Sequence, residues 1–76
     1  MSSADVNLIV GKEIARRRRA LRLSLAQLGE QCGVSLQQVH KYETGQSNLS
    51  VSMLVKLARC LAARPSELVA PLDDAP

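Results

Sequence analysis

Residues 24–39 read SLAQLGEQCGVSLQQV, and this stretch opens a helix twice. In each copy a serine is followed three positions later by a glutamine: Ser24 with Gln27, and Ser35 with Gln38. A serine at a helix start accepts an amide of the first turn, and the glutamine reaches back to the amide of the serine. The pattern predicts two capping boxes and two helices that begin eleven residues apart.

The two helices are separated by a very short turn. Gly33 can enter the left-handed conformation that commonly ends a helix, and Ser35 starts the next helix almost at once. Gly29 has no side chain to block a close crossing of the two helices. Leu25, Leu28 and Cys32 mark the first of the two helices, and the predicted joint is filled by Leu28, Val34, Val39 and Tyr42. Two short helices joined in this way indicate a helix-turn-helix.

The whole chain of 76 residues fits one all-α domain with a core over about residues 8–72. Since Tyr42 is the only aromatic residue, Leu, Val, Ile and Ala must build that core. The first helix is predicted to start near Asp5 or Asn7 and to end near Leu21. Ser50 caps a fourth helix, Pro65 opens a short fifth one, and the closing residues 73–76, DDAP, are expected to form a mobile acidic tail.

The distribution of charge and the composition restrict the kinds of partner that the protein is expected to bind. The net charge is +3, and residues 1–45 hold seven basic against four acidic side chains, whereas residues 46–76 hold three of each. A polyanion is therefore expected to meet the first part of the chain. No segment has the length of a membrane span or the form of a secretion signal, which favours a cytoplasmic protein without a membrane partner. DNA as the polyanion would associate the protein with the nucleoid.

Catalytic and metal-binding constellations are not evident. His40 has no partner at metal-ligand spacing, and Cys32 and Cys60 are interpreted as core or half-buried thiols. No enzyme activity, cofactor, metal or small-molecule ligand is expected.

These motifs resemble the helix-turn-helix regulators of the lambda repressor and Cro type, also called the xenobiotic-response-element type. The resemblance covers roughly Ile9 to Leu72 and is carried by three segments: VGKEIARRRRALRLS, LAQLGEQCGVSLQQVHKYETG and LSVSMLVKLARCLAARPSELV. It implies a compact five-helix bundle, sequence-specific binding of double-stranded DNA as a homodimer, and control of transcription. Leu25 departs from the glutamine usual in the family, and Arg22 from the usual glycine.

The second helix of the motif is the predicted reader of DNA sequence. On a helical wheel Val39, Tyr42 and Glu43 point to the body, whereas Gln37 and Lys41 point away. The predicted base-contacting residues are Gln37, Gln38 and Lys41, followed by Leu36 and His40. Any one of them could instead touch only phosphate or water. The predicted phosphate-contacting residues are Ser24, Leu25 through its amide, Ser35, Thr44, Gln46, Ser47, Asn48, Arg16 and Arg19.

The run RRRR at residues 16–19 cannot form one basic stripe, because consecutive helical residues point in four directions. A mostly solvated helix with one or two phosphate contacts is expected. Arg18 matches a family arginine that resembles a structural partner of Glu43. A carboxylate on the inward face of the reader helix needs such a partner, and the competing candidate is Arg17.

A dimer surface is predicted at the apolar end of the chain, from Leu68, Val69 and Leu72 with the exposed side of the fourth helix. These side chains could instead only cap the core. The alternative function is a protein-interaction module of the same fold, antitoxin-like or coactivator-like, with weak or non-specific DNA binding. Leu25 is the one residue that favours this alternative.

Overall fold

A computed structural model describes residues 1–75, which are helical and contain no strand. The five α-helices are α1 (Ser3–Ala20), α2 (Leu25–Cys32), α3 (Leu36–Glu43), α4 (Val51–Cys60) and α5 (Pro65–Val69). A 3-10 helix, Ala70–Asp74, follows α5 directly. The predicted all-α fold with five helices is confirmed.

The first helix starts earlier than predicted. Ser2 caps it: the Ser2 hydroxyl accepts the Asp5 amide at 3.1 Å, and the Asp5 carboxylate accepts the Ser2 amide at 3.1 Å. Asp5 is therefore the third helical residue, and its pKa is lowered by the hydrogen bond from the Ser2 amide. Asn7, the other predicted cap, lies within the helix and donates to the Asn48 side chain instead. The sequence contains this capping pair, which has the same i to i+3 spacing as the boxes of the motif.

Each α-helix contributes one large, fully buried aliphatic side chain to a single core. These residues are Ile14, Leu28, Val39, Leu57 and Leu68, and none is more than 1% exposed. Burial of such a side chain contributes roughly 1.5–3 kcal/mol relative to leaving it exposed. The helix-turn-helix is thereby fixed to the rest of the bundle through Leu28 and Val39.

The longest helix, α1, crosses α3 at Gly11. A Cβ atom built on Gly11 would lie 2.3 Å from the Tyr42 carbonyl oxygen and 2.7 Å from that of Glu43. The backbone of α1 therefore contacts the last turn of α3 directly. Gly11 thus sets the distance between the two helices.

The segment predicted to be a mobile acidic tail is helical in its described residues, and its mobility stays a prediction. Ala70–Asp74 form the 3-10 helix, which packs against α1, and Leu72 is partly buried against the core. Pro76, the last residue of that predicted tail, lies outside the described residues.

Candidate DNA-binding surface

The first helix of the motif has a complete capping box, as predicted. The Ser24 hydroxyl accepts the Gln27 amide at 3.0 Å, and the Gln27 side chain accepts the Ser24 amide at 2.8 Å. The Leu25 and Ala26 amides, which have no acceptor within a helix, remain available as donors at the positive end of α2. The Leu25 side chain packs against the core, so only its amide can serve an anion.

The second capping box is only half formed, which corrects the prediction. The Ser35 hydroxyl accepts the Gln38 amide at 3.1 Å, but the Gln38 side chain does not return to the Ser35 amide. The two similar sequences are thus used differently. Gln27 is held by its own helix end, whereas the Gln38 side chain is free to bond elsewhere.

The turn between the helices relies on two glycines. Gly33 has φ 73°, as its predicted role as a helix stop requires. A Cβ on Gly29 would lie 2.6 Å from the Val34 carbonyl oxygen, so the close contact made by Gly29 is with the turn that leads into α3. The steep meeting of α2 and α3 therefore depends on a missing side chain inside α2.

The faces of α3 agree with the helical wheel. Val39 is fully buried and Glu43 is 8% exposed, whereas Gln37 and Lys41 are exposed. Leu36 is 45% exposed at the amino end of the helix, Gln38 is half-buried, and His40 is exposed on the flank nearest to α1. All five predicted base-contacting side chains therefore lie on one short helix.

The predicted ion pair between Arg18 and Glu43 is confirmed. Two parallel bonds join them, from Nε to Oε2 at 2.6 Å and from Nη2 to Oε1 at 3.0 Å, and a third runs from Nη1 to the Leu23 carbonyl at 2.8 Å. The hydrogen bonds to Glu43 raise the pKa of Arg18 above its ordinary value. The pair connects α1, the α1–α2 turn and α3, so it fixes the orientation of the reader helix.

The two ends of the arginine run are exposed, as expected for a solvated helix, whereas its two middle members are not. Three of the four arginines form ion pairs. Glu13 accepts hydrogen bonds from both Arg16 and Arg17, and Arg17 also lies 3.4 Å from Glu67. The hydrogen bond from Arg16, followed by that from Arg17, lowers the pKa of Glu13. Arg17, the competing partner for Glu43, is occupied here. The spacing of Glu13 to Arg16 and Arg17, three and four residues, is a helical ion-pair signal that the sequence analysis missed.

A basic cleft of about 420 Å³ lies between α1 and α3. Its charged or titratable lining includes Lys12, Arg16, Arg19, His40 and Glu43. Arg19 makes no ion pair among residues 1–75, so of the two predicted phosphate-contacting arginines it is the one whose charge is not already paired.

The loop after α3 is held by its own polar side chains. The Thr44 hydroxyl donates to the His40 carbonyl at 2.9 Å and accepts from the Gln46 amide group at 2.9 Å. The Asn48 side-chain oxygen Oδ1 accepts from the side-chain amide of Asn7 of α1 at 2.8 Å. Ser47 lines an apolar cavity. No sequence signal indicated the pairing of Asn7 with Asn48, because 41 residues separate them.

The predicted dimer surface needs one correction, since Leu68 is completely buried in the core. Val69 and Leu72 are half-buried and line the apolar cavity of about 120 Å³ together with Leu54 and Val51. Val51 is 78% exposed at the start of α4. An apolar surface is therefore present, but Leu68 is not part of it.

Two features of other classes of protein are absent from residues 1–75. No group of three or more His, Cys, Asp or Glu side chains is placed to hold a metal ion. Within the same residues, every helix is too short or too polar to cross a membrane.

The fold and the paired helix starts define the class of this protein: it belongs to the helix-turn-helix family, whose sequence profile matches residues 14–68. Relatives are named as transcriptional regulators. One, an HTH-type regulator of Sinorhizobium fredii, is 38% identical over 91% of this chain and 48% of its own length. Another, from Rhodospirillum rubrum, is 42% identical over 75% of this chain and 53% of its own length. The chain thus spans about half the length of these relatives.

The crystal structure of the restriction-modification controller protein C.AhdI from Aeromonas hydrophila has the same fold. It superposes with a TM-score of 0.84 at 29% identity, over 90% of this chain and 99% of C.AhdI. A second regulator from Sinorhizobium fredii is 35% identical over 95% of this chain and 94% of its own length. This relative is therefore similar in length to the present chain.

Proposed function

We propose that the chain is a sequence-specific regulator of transcription that binds an inverted-repeat operator in double-stranded DNA as a homodimer, with α3 in the major groove. The observation that carries the proposal is the exposed row Gln37 and Lys41 on a helix whose inner face is fixed by the buried Arg18–Glu43 pair. A helix that recognises DNA sequence needs exposed polar side chains and a fixed orientation, because contacts to bases discriminate between sequences only when the positions of the side chains are well defined.

The base contacts are assigned to Gln37, Gln38 and Lys41, with Leu36 against a thymine methyl group. Glutamine can bond two atoms of adenine and lysine can donate to guanine, and each good pair discriminates by about 1–3 kcal/mol. The unfinished capping box supports the role of Gln38, since its amide group is not used within the helix. His40 lies beside the basic cleft, where a base edge or a phosphate could accept its hydrogen bond.

The phosphate contacts are assigned to the two helix starts and to the flanks. At α2 the free Leu25 and Ala26 amides and the Ser24 hydroxyl can donate to one phosphate. Further contacts are proposed from Ser35, Thr44, Gln46 and Asn48 near α3, and from Arg16 and Arg19 of α1. Such contacts set register and affinity without reading sequence.

Selection of bound fragments from a random DNA pool tests the function directly. The expected result is an inverted repeat with half-sites about 34–36 Å apart, one turn of DNA. On that site Gln37→Ala and Lys41→Ala should each relax the preference at single base positions, whereas Arg19→Ala should weaken all sequences alike and reduce the salt slope by about one. Arg59→Ala, an exposed charge on α4, is the matched control.

Uniform loss from the α3 variants, or no selected sequence at all, would favour the protein-interaction module. Leu25 remains the residue that favours this alternative, because it lacks the family's phosphate-contacting glutamine side chain; its own side chain packs against the core.

The dimer surface is assigned to the apolar patch of Val51, Leu54, Val69 and Leu72. Sedimentation of Val51→Glu and Leu72→Glu should show dissociation, because a charge at an apolar interface is costly. Leu21→Glu is the control, since Leu21 is 46% exposed at the end of α1. A wild-type dimer in both patch variants would contradict the assignment. Removal of the chain after Arg64 is unsuitable as a test, since it deletes the core residue Leu68.

A further inference from the structure

One face of α1 carries three basic side chains in a row. Lys12, Arg16 and Arg19 are spaced by four and then three residues, so they lie on the same side of the helix, which the four consecutive arginines cannot do. All three are exposed, and all three line the cleft between α1 and α3. Ala15, on the same face, is buried and contributes only a methyl group to the lining. The three charges therefore lie along one open cleft.

These charges are available to a partner outside the chain. Among the described residues, neither Lys12 nor Arg19 forms an ion pair. Arg16 is paired within α1 through Nε and one Nη2 hydrogen, so its remaining N–H groups can still donate. Glu43, the carboxylate in the cleft lining, is already neutralised by its two bonds to Arg18. The cleft therefore has an excess of positive charge.

We propose that this face of α1, including Lys12, is a binding surface for the sugar-phosphate backbone of one DNA strand. The inference rests on the proposed function, and it adds Lys12 and a continuous contact along α1 to the phosphate contacts assigned above. His40 and Thr44 of α3 line the same cleft, so the surface is continuous with the helix assigned to the major groove. This continuity favours DNA over an acidic protein as the polyanion that the row binds.

The length of the row matches the spacing of phosphates. Lys12 and Arg19 are seven positions apart on a helix that rises about 1.5 Å per residue, so the row extends over about 10 Å. Each strand of DNA presents one phosphate for about every 3.4 Å of helix axis, so a row of this length can meet about two or three successive phosphates. Lys12 is thereby assigned to a phosphate near the one that Arg19 contacts.

The test measures affinity for the selected operator, and for a duplex of unrelated sequence, by fluorescence anisotropy at several salt concentrations. Lys12→Ala should weaken binding to both duplexes by the same factor, about eightfold per bound protomer at 0.1 M salt, and should reduce the salt slope by about one per protomer. Lys12→Arg should keep the affinity, because the charge remains. Lys56→Ala, at an exposed lysine of α4, is the matched control. Circular dichroism verifies that the variants are folded.

A second measurement locates the contact on the DNA. Operators are made with an uncharged methylphosphonate at one backbone position at a time. At one position of each half-site, the substitution should weaken binding of the wild type but not of Lys12→Ala. That position should lie on the same strand as the position to which Arg19→Ala becomes insensitive, within about two phosphates of it.

The outcomes separate this inference from the proposed function. Equal affinities of Lys12→Ala and Lys56→Ala, with the sequence preference kept by both, would overturn the inference alone. Insensitive positions for Lys12→Ala and Arg19→Ala on opposite strands would also overturn it, since one strand could not then follow α1. A wild-type protein that binds neither duplex would refute the proposed function, and with it DNA as the partner of this row.

Discussion

Gly11→Ala adds a single methyl group at the crossing of α1 and α3. Helix propensity alone predicts stabilisation by about 1 kcal/mol, because alanine is the best helix former and glycine is among the worst. The structure predicts the opposite result. The new Cβ would stand 2.3 Å from the Tyr42 carbonyl oxygen, and ordinary contacts begin near 3.4 Å, so α1 has to withdraw by about 1 Å.

Moving α1 away from α3 costs packing that the added methyl cannot recover. Overfilling of a packed interface costs about 1–3 kcal/mol, and loosening of Ile14 and the Arg18–Glu43 pair adds to that figure. After subtraction of the propensity gain, the expected loss is about 1–2 kcal/mol. A domain of this length has a total stability of only about 5 kcal/mol, so the loss is a large fraction.

Urea denaturation followed by circular dichroism measures the free energy of unfolding, and fluorescence anisotropy with the selected operator measures DNA affinity. Gly11→Ala should unfold at lower urea and should also bind DNA more weakly where it is fully folded, since α3 shifts with α1. The matched control is Gly33→Ala, where a Cβ meets no atom within 4 Å and only the backbone at φ 73° is strained. A Gly11→Ala protein more stable than the wild type would refute the direct contact of α1 with α3.

The remaining predictions concern two ion pairs, two left-handed residues and one acidic side chain. Glu43→Gln should lower the free energy of unfolding by about 3–5 kcal/mol, because both partners are nearly buried, whereas Glu67→Gln at an exposed pair should cost less than about 1 kcal/mol. Arg22 and Ala62 have left-handed backbones, at φ 57° and 53°. Replacement of either residue by glycine should raise the free energy of unfolding, measured in urea, by about 1 kcal/mol, because glycine adopts this conformation without strain. The pKa of Glu13 lies below its ordinary 4.5, so its stabilisation holds above pH 4.5 and is lost with further acidification; Glu13→Gln should flatten that decline.

Each of these outcomes has a definite opposite. Equal stability of Glu43→Gln and Glu67→Gln would mean that the buried pair does not hold α3. A loss of stability in Arg22→Gly, with Ala62→Gly unchanged, would show that the Arg22 side chain matters more than its backbone strain. Parallel acid-unfolding curves for the wild type and Glu13→Gln would exclude Glu13 as a contributor to the pH dependence.

Local signals in the sequence determined much of this fold. Helix starts are encoded by a side chain that bonds to amides within one turn, and therefore Ser24, Ser35, Ser50 and Pro65 are placed correctly from sequence. The same logic applied to Ser2 and Asp5 would have placed the start of α1. The pairing of Arg18 with Glu43 was predicted through the family resemblance, together with the need of an inward carboxylate for a partner.

Other features depend on contacts between residues far apart in the chain. From sequence alone, Gly11 predicts a weak point in α1; the structure shows that the backbone of α3 contacts α1 there. From sequence alone, Leu68 is predicted to lie on the surface; in the structure it is fully buried in the core. The acidic C-terminal segment is predicted from its composition to be mobile; in the structure it is helical over Ala70–Asp74, and Leu72 packs against the core. The two capping patterns have the same serine-to-glutamine spacing and predict the same result. The box at Ser24 is nevertheless complete, whereas the box at Ser35 is only half formed.

The sequence by itself therefore determined the helix-turn-helix. The spacing of apolar residues and the capping hydrogen bonds both involve residues within one or two helical turns of each other. The sequence also determined which side of α3 faces outward, because that follows from helical geometry. Only the tertiary structure decided how closely α1 approaches α3 and which of two similar glutamines stays free. Those outcomes depend on distances between separate helices, and sequence spacing does not contain such distances.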